Sequence, residues 1–475
     1  MSSALEILDL PQLPTTWRWV TMSQACLKIQ DGTHFSPKNQ YVRGKYRYIT
    51  AKNVKPWGLD LSDLSYLNET DHRAIYKRCD PQKGDVLLVK DGVNTGDAAL
   101  NTLSEEFSLL SSVCLLRPKS ELIFGPFLCY FLLSPTGYRL LTGQMTGTAI
   151  KRIVLRRIKE SPVPIAPLSE QQDIVAEIEK QFSRLDEAVA SLKRTKANLK
   201  RYKASVLKAA VEGKLTEHWR KQHPDVEPAS NLLERVLAER RAKWSGRGKY
   251  KEPNVLDTSD LPKLPDIWTW VTWDSVLAIG EGAFKRGPFG SALKKSIFVP
   301  RGYKVYEQYC PINDDCSFGR YYITPEKFEE LRAFEVKAGD FLVSCSGVTL
   351  GRITQVPRIF EKGVINQALL RVRLNSKIID DRYFVRLFRS NFFQRWIFDS
   401  STGSAIPNVK GVKELKAIPI PLPPLVEQQQ IVAELERRLS VIDELEAAVE
   451  ANLTRADRLR QSILQRAFCG QLARG

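Results

Sequence analysis

The chain has 475 residues, 43% hydrophobic and 26% charged, a length for about two to four globular cores rather than one. Lysine and arginine outnumber aspartate and glutamate 71 to 54, and the resulting +17 favours a polyanionic partner such as nucleic acid, although an inert basic surface would carry the same charge. The start, MSSALEILDL, lacks the basic and apolar stretches of a signal peptide. The longest apolar run, residues 122–133, is too short for a bilayer and is broken by Gly125 and Pro126. The eight cysteines show no zinc spacing, and Cys310 and Cys316 lack a second pair, so reduced structural thiols and no metal are expected.

In chain order, residues 1–166 read as a first globular domain. TWRWVTM, KYRYITA, GDVLLVKD and SVCLLRP, rich in β-branched and aromatic residues, predict strands. Lys90, Asn94 and Thr95 fall in the turn after the third, and Thr148, Lys151 and Arg152 follow a small-residue TG turn. Polar and basic residues in such turns can meet a phosphate or a base edge; ordinary turn chemistry is the plainer alternative. Residues 167–215 predict one long helix. No Gly or Pro interrupts it before Gly213, and Ile178, Leu185, Leu192, Leu199 and Val206 recur every seven residues. Phe182, Val189 and Ala210 occupy the companion position of this seam, which Lys196 and Lys203 interrupt.

Residues 216–260, with ERRAKW and GRGKYKEP, read as a charged linker. Residues 261–422 then repeat the first domain, and 423–475 repeat the helix. LPQLPTTWRWVT returns as LPKLPDIWTWVT, TGTAIKRI as TGSAIPNV, and PVPIAPLSEQQDIVAEIE as PIPLPPLVEQQQIVAELE, in unchanged order. GDFLVSCSG, GRITQV and ALLRVRL predict strands, and DRYFVRLFRSNFFQRWIF an amphipathic helix. Ser346, Thr349 and Arg352 occupy the first turn of this copy, and Ser404, Asn408 and Lys410 follow its TG turn. Leu435, Ile442, Val449, Ala456 and Ile463 restore the heptad seam. Two such seams in one chain predict an antiparallel intramolecular pair about a pseudo-twofold axis, against the alternative of separate docking. Residues 25–80 and 278–335 show little mutual similarity, so the outer part of each copy has diverged while the helices and their flanks are nearly interchangeable.

DGTHFSP (residues 31–37), GPFGSALK (287–294), the two TG motifs and the two EQQ helix starts resemble the specificity subunits of Type I restriction-modification systems over almost the whole chain. The resemblance implies an α+β architecture: two tandem target recognition domains, each followed by a long helix, the helices pairing as an antiparallel coiled coil. It implies that each domain reads half of an interrupted DNA site. It adds Thr33, His34, Lys285, Arg286 and Ser291, in or beside the two divergent motifs, to the candidate DNA contacts. It further implies two adenine-methylating modification subunits and restriction subunits as partners, with S-adenosylmethionine, ATP and Mg on those partners, a cytoplasmic prokaryotic setting and no membrane. The residues themselves show no Gly-rich cofactor turn, no Asn/Asp-Pro-Pro-aromatic site, no phosphate-binding GxxxxGK[ST] loop and no obvious carboxylate cluster, so no catalytic residue is expected. A self-contained DNA methyltransferase or restriction enzyme with a divergent active site, and a coiled-coil DNA-associated scaffold, stay open as alternatives.

Overall fold

The structure is a computed structural model describing residues 10–35, 37, 41–143, 152–245, 249–280, 282–288, 290–347, 349–398 and 409–472. It divides into two compact units, Met1–Thr195 with Ala448–Gly475, and Lys196–Ala447. Both build the same plan. In the first, Arg18–Thr21 pairs antiparallel with Pro162–Ile165, closing the start of the domain onto its end. A four-stranded antiparallel sheet follows in the order Cys26–Asp31, Val113–Pro118, Val86–Val89, Ala98–Leu100. A three-stranded sheet sets Tyr46–Ile49 between Ser65–Leu67 and Phe107–Leu109, parallel to the latter. The second unit repeats this with Thr269–Thr272 on Pro419–Leu422, then Phe284–Arg286, Leu369–Val372, Phe341–Ser344 and Ile353–Gln355, and Tyr303–Tyr306 parallel to Gly363–Ile365.

All seven segments predicted as strands contain strands. Val86–Val89 and Phe341–Ser344 are buried along their whole length, which explains their unbroken apolar runs. DRYFVRLFRSNFFQRWIF forms two helices rather than one, Asp381–Phe388 and Asn391–Ile397. Ser390 breaks it: its hydroxyl accepts the Phe393 N–H at 3.3 Å and donates to the Leu387 carbonyl at 2.5 Å, capping the second helix while closing the first. Ser134 does the same between Gly125–Leu133 and Pro135–Thr142.

The long helices are Leu168–Val211 and Leu425–Ala467. Each unit contains a stretch of both, running antiparallel. In the first unit Asp186 pairs with Arg460, whose guanidinium lies over the Phe182 ring, while Ile174, Val175 and Ile178 share a core with Ile463, Leu464 and Ala467. In the second unit Lys203 reaches Asp443 at 2.7 Å, and Val206 and Ala210 share a core with Ile431, Val432 and Leu435. The heptad positions are the ones withdrawn from solvent in both helices, as the seam requires. Both helices end on a left-handed glycine. A Cβ at Gly213 (φ +73°) would meet Pro265 at 2.5 Å, and one at Gly470 (φ +68°) would meet Pro14 at 2.4 Å. Each helix therefore ends against an LPxLP segment that opens a domain. Among the described residues no helix is long and apolar enough to cross a membrane.

The segment read as a charged linker is structured. It holds helices Glu217–Gln222 and Ala229–Ala242, and the second packs on the second domain. Ala229 donates its N–H to the Ile267 carbonyl at 3.0 Å, Lys377 pairs with Glu239 at 2.8 Å, and Val236 joins the domain core. Its charges line the solvent side of an amphipathic helix, which composition alone does not separate from a flexible tether.

The EQQ motif joins helix to domain. Gln171 and Gln428 are fully buried. The Gln428 amide donates to the carbonyls of Ile378 and Pro423, both at 2.9 Å, and accepts the Asp380 N–H at 2.7 Å. Gln171 makes the same set with Leu122, Ala166 and Phe124. Replacing Gln428 by Leu keeps the bulk but orphans three buried backbone groups. We expect a loss of about 2–5 kcal/mol for the second unit, seen by calorimetry as a lowered transition for that unit alone. An unchanged melting profile would contradict this account.

Candidate nucleic-acid interface

The first candidate motif begins where Cys26–Asp31 ends. A Cβ at Gly32 would lie 1.9 Å from the Leu109 carbonyl oxygen, so only glycine lets the chain pass here. Beyond it Thr33 donates its N–H to Leu109 and accepts from Ser111, both at 2.8 Å. Thr33 is thereby buried, its hydroxyl turned to the Phe35 backbone. Asp31 is buried beneath Arg78 at 2.8 Å, the His34 ring at 3.1 Å and Lys90 at 3.5 Å. Lys90 also reaches Asp91 at 3.1 Å, and Asp91 reaches Arg152 at 3.1 Å. A chain of polar contacts thus runs from exposed His34 through a buried centre to exposed Arg152. Lys90, 1% exposed, presents no charge at the surface; it ties the turn after Val86–Val89 to the DGTH motif. Arg78 was missed by sequence reasoning because 47 residues separate it from Asp31, and nothing local marks it.

The turn itself, Asp91–Gly96, folds on two left-handed glycines, Gly92 (φ +104°) and Gly96 (φ +101°). The buried Thr95 hydroxyl donates to the Gly92 carbonyl at 2.6 Å. Val93 is fully exposed at the tip and Asn94 is half-buried beside it. Ile153 donates its N–H to the Lys90 carbonyl at 2.8 Å, so the segment after the TG motif runs alongside this turn. Of the candidates in that segment, Arg152 is placed and Thr148 and Lys151 lie outside the described residues.

The second domain keeps the frame and changes the chemistry. A Cβ at Gly287 would meet the Asn366 carbonyl oxygen at 1.8 Å, and Gly287 donates to Leu369 as Gly32 does to Val113. Gly287 therefore corresponds to Gly32, and Arg286 stands where the first domain has Asp31. Val409 donates to the Cys345 carbonyl as Ile153 does to Lys90, so buried Cys345 stands in the place of Lys90. Burial pushes the Cys345 thiol up to about 12, which keeps it neutral. Lys285 lies over the Phe334 ring at 5.2 Å. The Ser346 carbonyl accepts the Gln308 amide, Thr349 is half-buried, and exposed Arg352 is fixed through its N–H to the Ser344 hydroxyl at 3.0 Å. The Lys410 ammonium lies over Trp396 at 5.9 Å. Ser404, Asn408 and the Ser291 side chain lie outside the described residues. Among the described residues no group of three or more His, Cys, Asp or Glu could hold a metal.

A test of the first cluster is a double-mutant cycle. Lys90→Met leaves Asp31 short of charge compensation and should cost about 2–4 kcal/mol; adding Asp31→Asn should recover at least half of it. Chemical denaturation measures both, and additive losses would dissolve the coupling.

The description Type I restriction modification DNA specificity domain matches residues 14–201 and 297–455. The EcoDI specificity subunit of Escherichia coli is 26% identical over 70% of this chain and 67% of its own length. The EcoKI specificity subunit of Escherichia coli K12 is 24% identical over 97% and 90% respectively, and the MjaVIII specificity subunit of Methanocaldococcus jannaschii is 22% identical over 97% and 94%. Among solved structures, a chain from work on assembly and conformational transition of the type I R-M system aligns with TM-score 0.61 at 19% identity, covering 97% of this chain and all of that one. The HsdS subunit of Thermoanaerobacter tengcongensis aligns with TM-score 0.53 at 18% identity over 97% and 98%. With the repeated domains, the EQQ-latched helices and a profile match over most of its length, this chain belongs to the Type I restriction-modification DNA specificity family.

Proposed function

We propose that this chain reads a two-part, interrupted DNA sequence, one part per globular domain, and brings two adenine methyltransferase subunits and the restriction subunits to it. The observation that carries the reading is the exchange of Asp31 and Lys90 for Arg286 and Cys345 on an otherwise repeated frame. One scaffold with two inner chemistries suits a protein that reads two different half-sites. Exposed Arg152, Arg352 and His34 hold phosphates or meet base edges, while Thr33, Lys90 and Thr95 shape the turns that carry them. Asn94, Thr349, Lys285, Arg286 and Lys410 complete the face, together with the undescribed Thr148, Lys151, Ser291, Ser404 and Asn408. The nearly identical helix starts give two like partners two like surfaces. S-adenosylmethionine, ATP and Mg belong to those partners, and the system works in a prokaryotic cytoplasm. The two helices set the number of unread base pairs between the half-sites.

A methylation map of host DNA with and without the gene tests the reading. The expected result is an interrupted motif with a modified adenine on each strand; methylation by this chain alone would overturn it. Arg352 makes no ion pair among the described residues, so Arg352→Ala should weaken duplex binding by the assembled enzyme on all sequences alike. It should also lower the slope of log affinity against log salt by about one. Inserting four residues into both helices, about 6 Å of rise, should lengthen the preferred spacer by about two base pairs. Retention of the original spacer would rule out the helices as its determinant.

A further inference from the structure

The helix Ala229–Ala242, through Arg240, and the later residues Trp244, Lys249, Lys251, Glu252 and Asn254 line a cavity of about 340 Å³ on the second domain. Its lining is cationic: Arg240, Lys249, Lys251, Lys413 and Lys416 against Glu252 and Asp274. Both acids are already matched. Glu252 pairs with Arg241, and Asp274 with Lys416 at 3.0 Å and Arg240 at 3.6 Å. Lys249, Lys251 and Lys413 are exposed and make no ion pair among the described residues. Arg240 is more than nine-tenths buried and donates to the Asp274 carbonyl at 2.7 Å, yet its Nε–H has no acceptor. The Tyr250 ring sits 5.9 Å from the Arg240 guanidinium, and its buried hydroxyl also lacks a partner. Burial raises that hydroxyl's pKa and so keeps its proton in place as a donor. A buried donor left unpaired is costly, and the Arg240 Nε–H beside three uncompensated ammonium groups describes a site built for an anion.

We propose that this cavity is a phosphate-binding site, occupied by a backbone phosphate of the duplex that the second domain reads. The assignment to DNA rests on the function proposed above; the phosphate chemistry does not. Lys413 and Lys416 lie on the short helix Val412–Lys416, which directly follows Val409 and Lys410 at the reading turn, so the cavity continues the candidate interface. The corresponding helix of the first domain, Leu155–Glu160, carries exposed Arg156 and Lys159 at the matching positions. Both domains thus offer a basic helix beside the reading turn, and on the second the Ala229–Ala242 segment deepens it into a pocket. A guanidinium with a free Nε–H, flanked by ammonium groups, offers several donors to the oxygens of a phosphate.

The test uses the enzyme assembled with its partner subunits and the variant Lys251→Ala/Lys413→Ala, whose residues are exposed and take no part in the core. Two measurements are made: salt-dependent affinity for a duplex carrying the recognised site, and tryptophan fluorescence during titration with inorganic phosphate, read against Trp244 in the lining. The expected result is duplex binding roughly tenfold weaker or more, with a salt slope lower by about two and an unchanged order of preference among sequences. A phosphate-dependent fluorescence change lost in the variant, with duplex affinity intact, keeps the phosphate site and transfers it from DNA to a free ligand. Unchanged duplex affinity and salt slope, with no phosphate response in either protein, would overturn the proposal. Partner assembly and the melting profile, both expected to match the unaltered enzyme, separate loss of the site from loss of fold.

Discussion

Everything outward of the helices depends on one buried amide at the start of each. Gln171 and Gln428 are closed off from water, and each satisfies two carbonyls and one N–H drawn from the domain and from the proline-rich strand exit. A glutamine suits this place because it carries donors and an acceptor without charge, so burial costs little once all three bonds are made. The neighbouring glutamate adds a second tie. Glu170 accepts the Trp17 indole N–H at 3.0 Å, and Glu427 accepts that of Trp268 at 2.8 Å. The same tryptophans follow the LPxLP segments on which the helix-ending glycines rest. Helix start, domain entry and helix end are therefore cross-braced by residues that recur in both copies.

The two braces are not equal. Glu427 also accepts the Thr216 hydroxyl at 2.6 Å and pairs with Arg220, whose guanidinium lies over Trp268. These partners come from the segment between the copies, so the second brace recruits what sequence reading took for tether. Buried charge also separates the copies. The second domain encloses Lys304, held by the carbonyls of Cys316 and Ser317 and by Glu361, and Arg371, whose pKa burial lowers to about 10. Lys90 is enclosed in the first. These buried cations hold loops in shape and take no part in the cationic surface.

What could be read from the sequence is what repeats at short range. The heptad seam, the strands of the central sheets and the glycine stops follow from period and residue type, and each lies where that reasoning puts it. The two-domain plan followed from the order of matched segments. What could not be read depends on pairing across distance. Arg78 meets Asp31 only because the sheet returns there, and Lys90 looks like a surface cation until Asp31 and Asp91 close over it. The break at Ser390 was hidden by an amphipathic pattern that continues in phase through two short helices.

The divergence between the copies has a physical location. The four-stranded sheets share order and register, and paired arginines lock both to the same aspartates: Arg117 forks onto Asp85, and Arg373 onto Asp340. Over the matching edge strands the first domain lays a hairpin, Val54–Lys55 with Gly58–Leu59, and the second lays a helix, Tyr309–Asn313. The hairpin holds Trp57 in solvent; the helix stacks Tyr309 on Phe318, and Gln308 before it donates its amide to the Ser346 carbonyl. The sheet, its arginine locks and the glutamine latch recur in both copies, whereas the layer above the edge strands differs in kind. That layer falls within residues 25–80 and 278–335, which have lost their likeness while the helices have kept theirs.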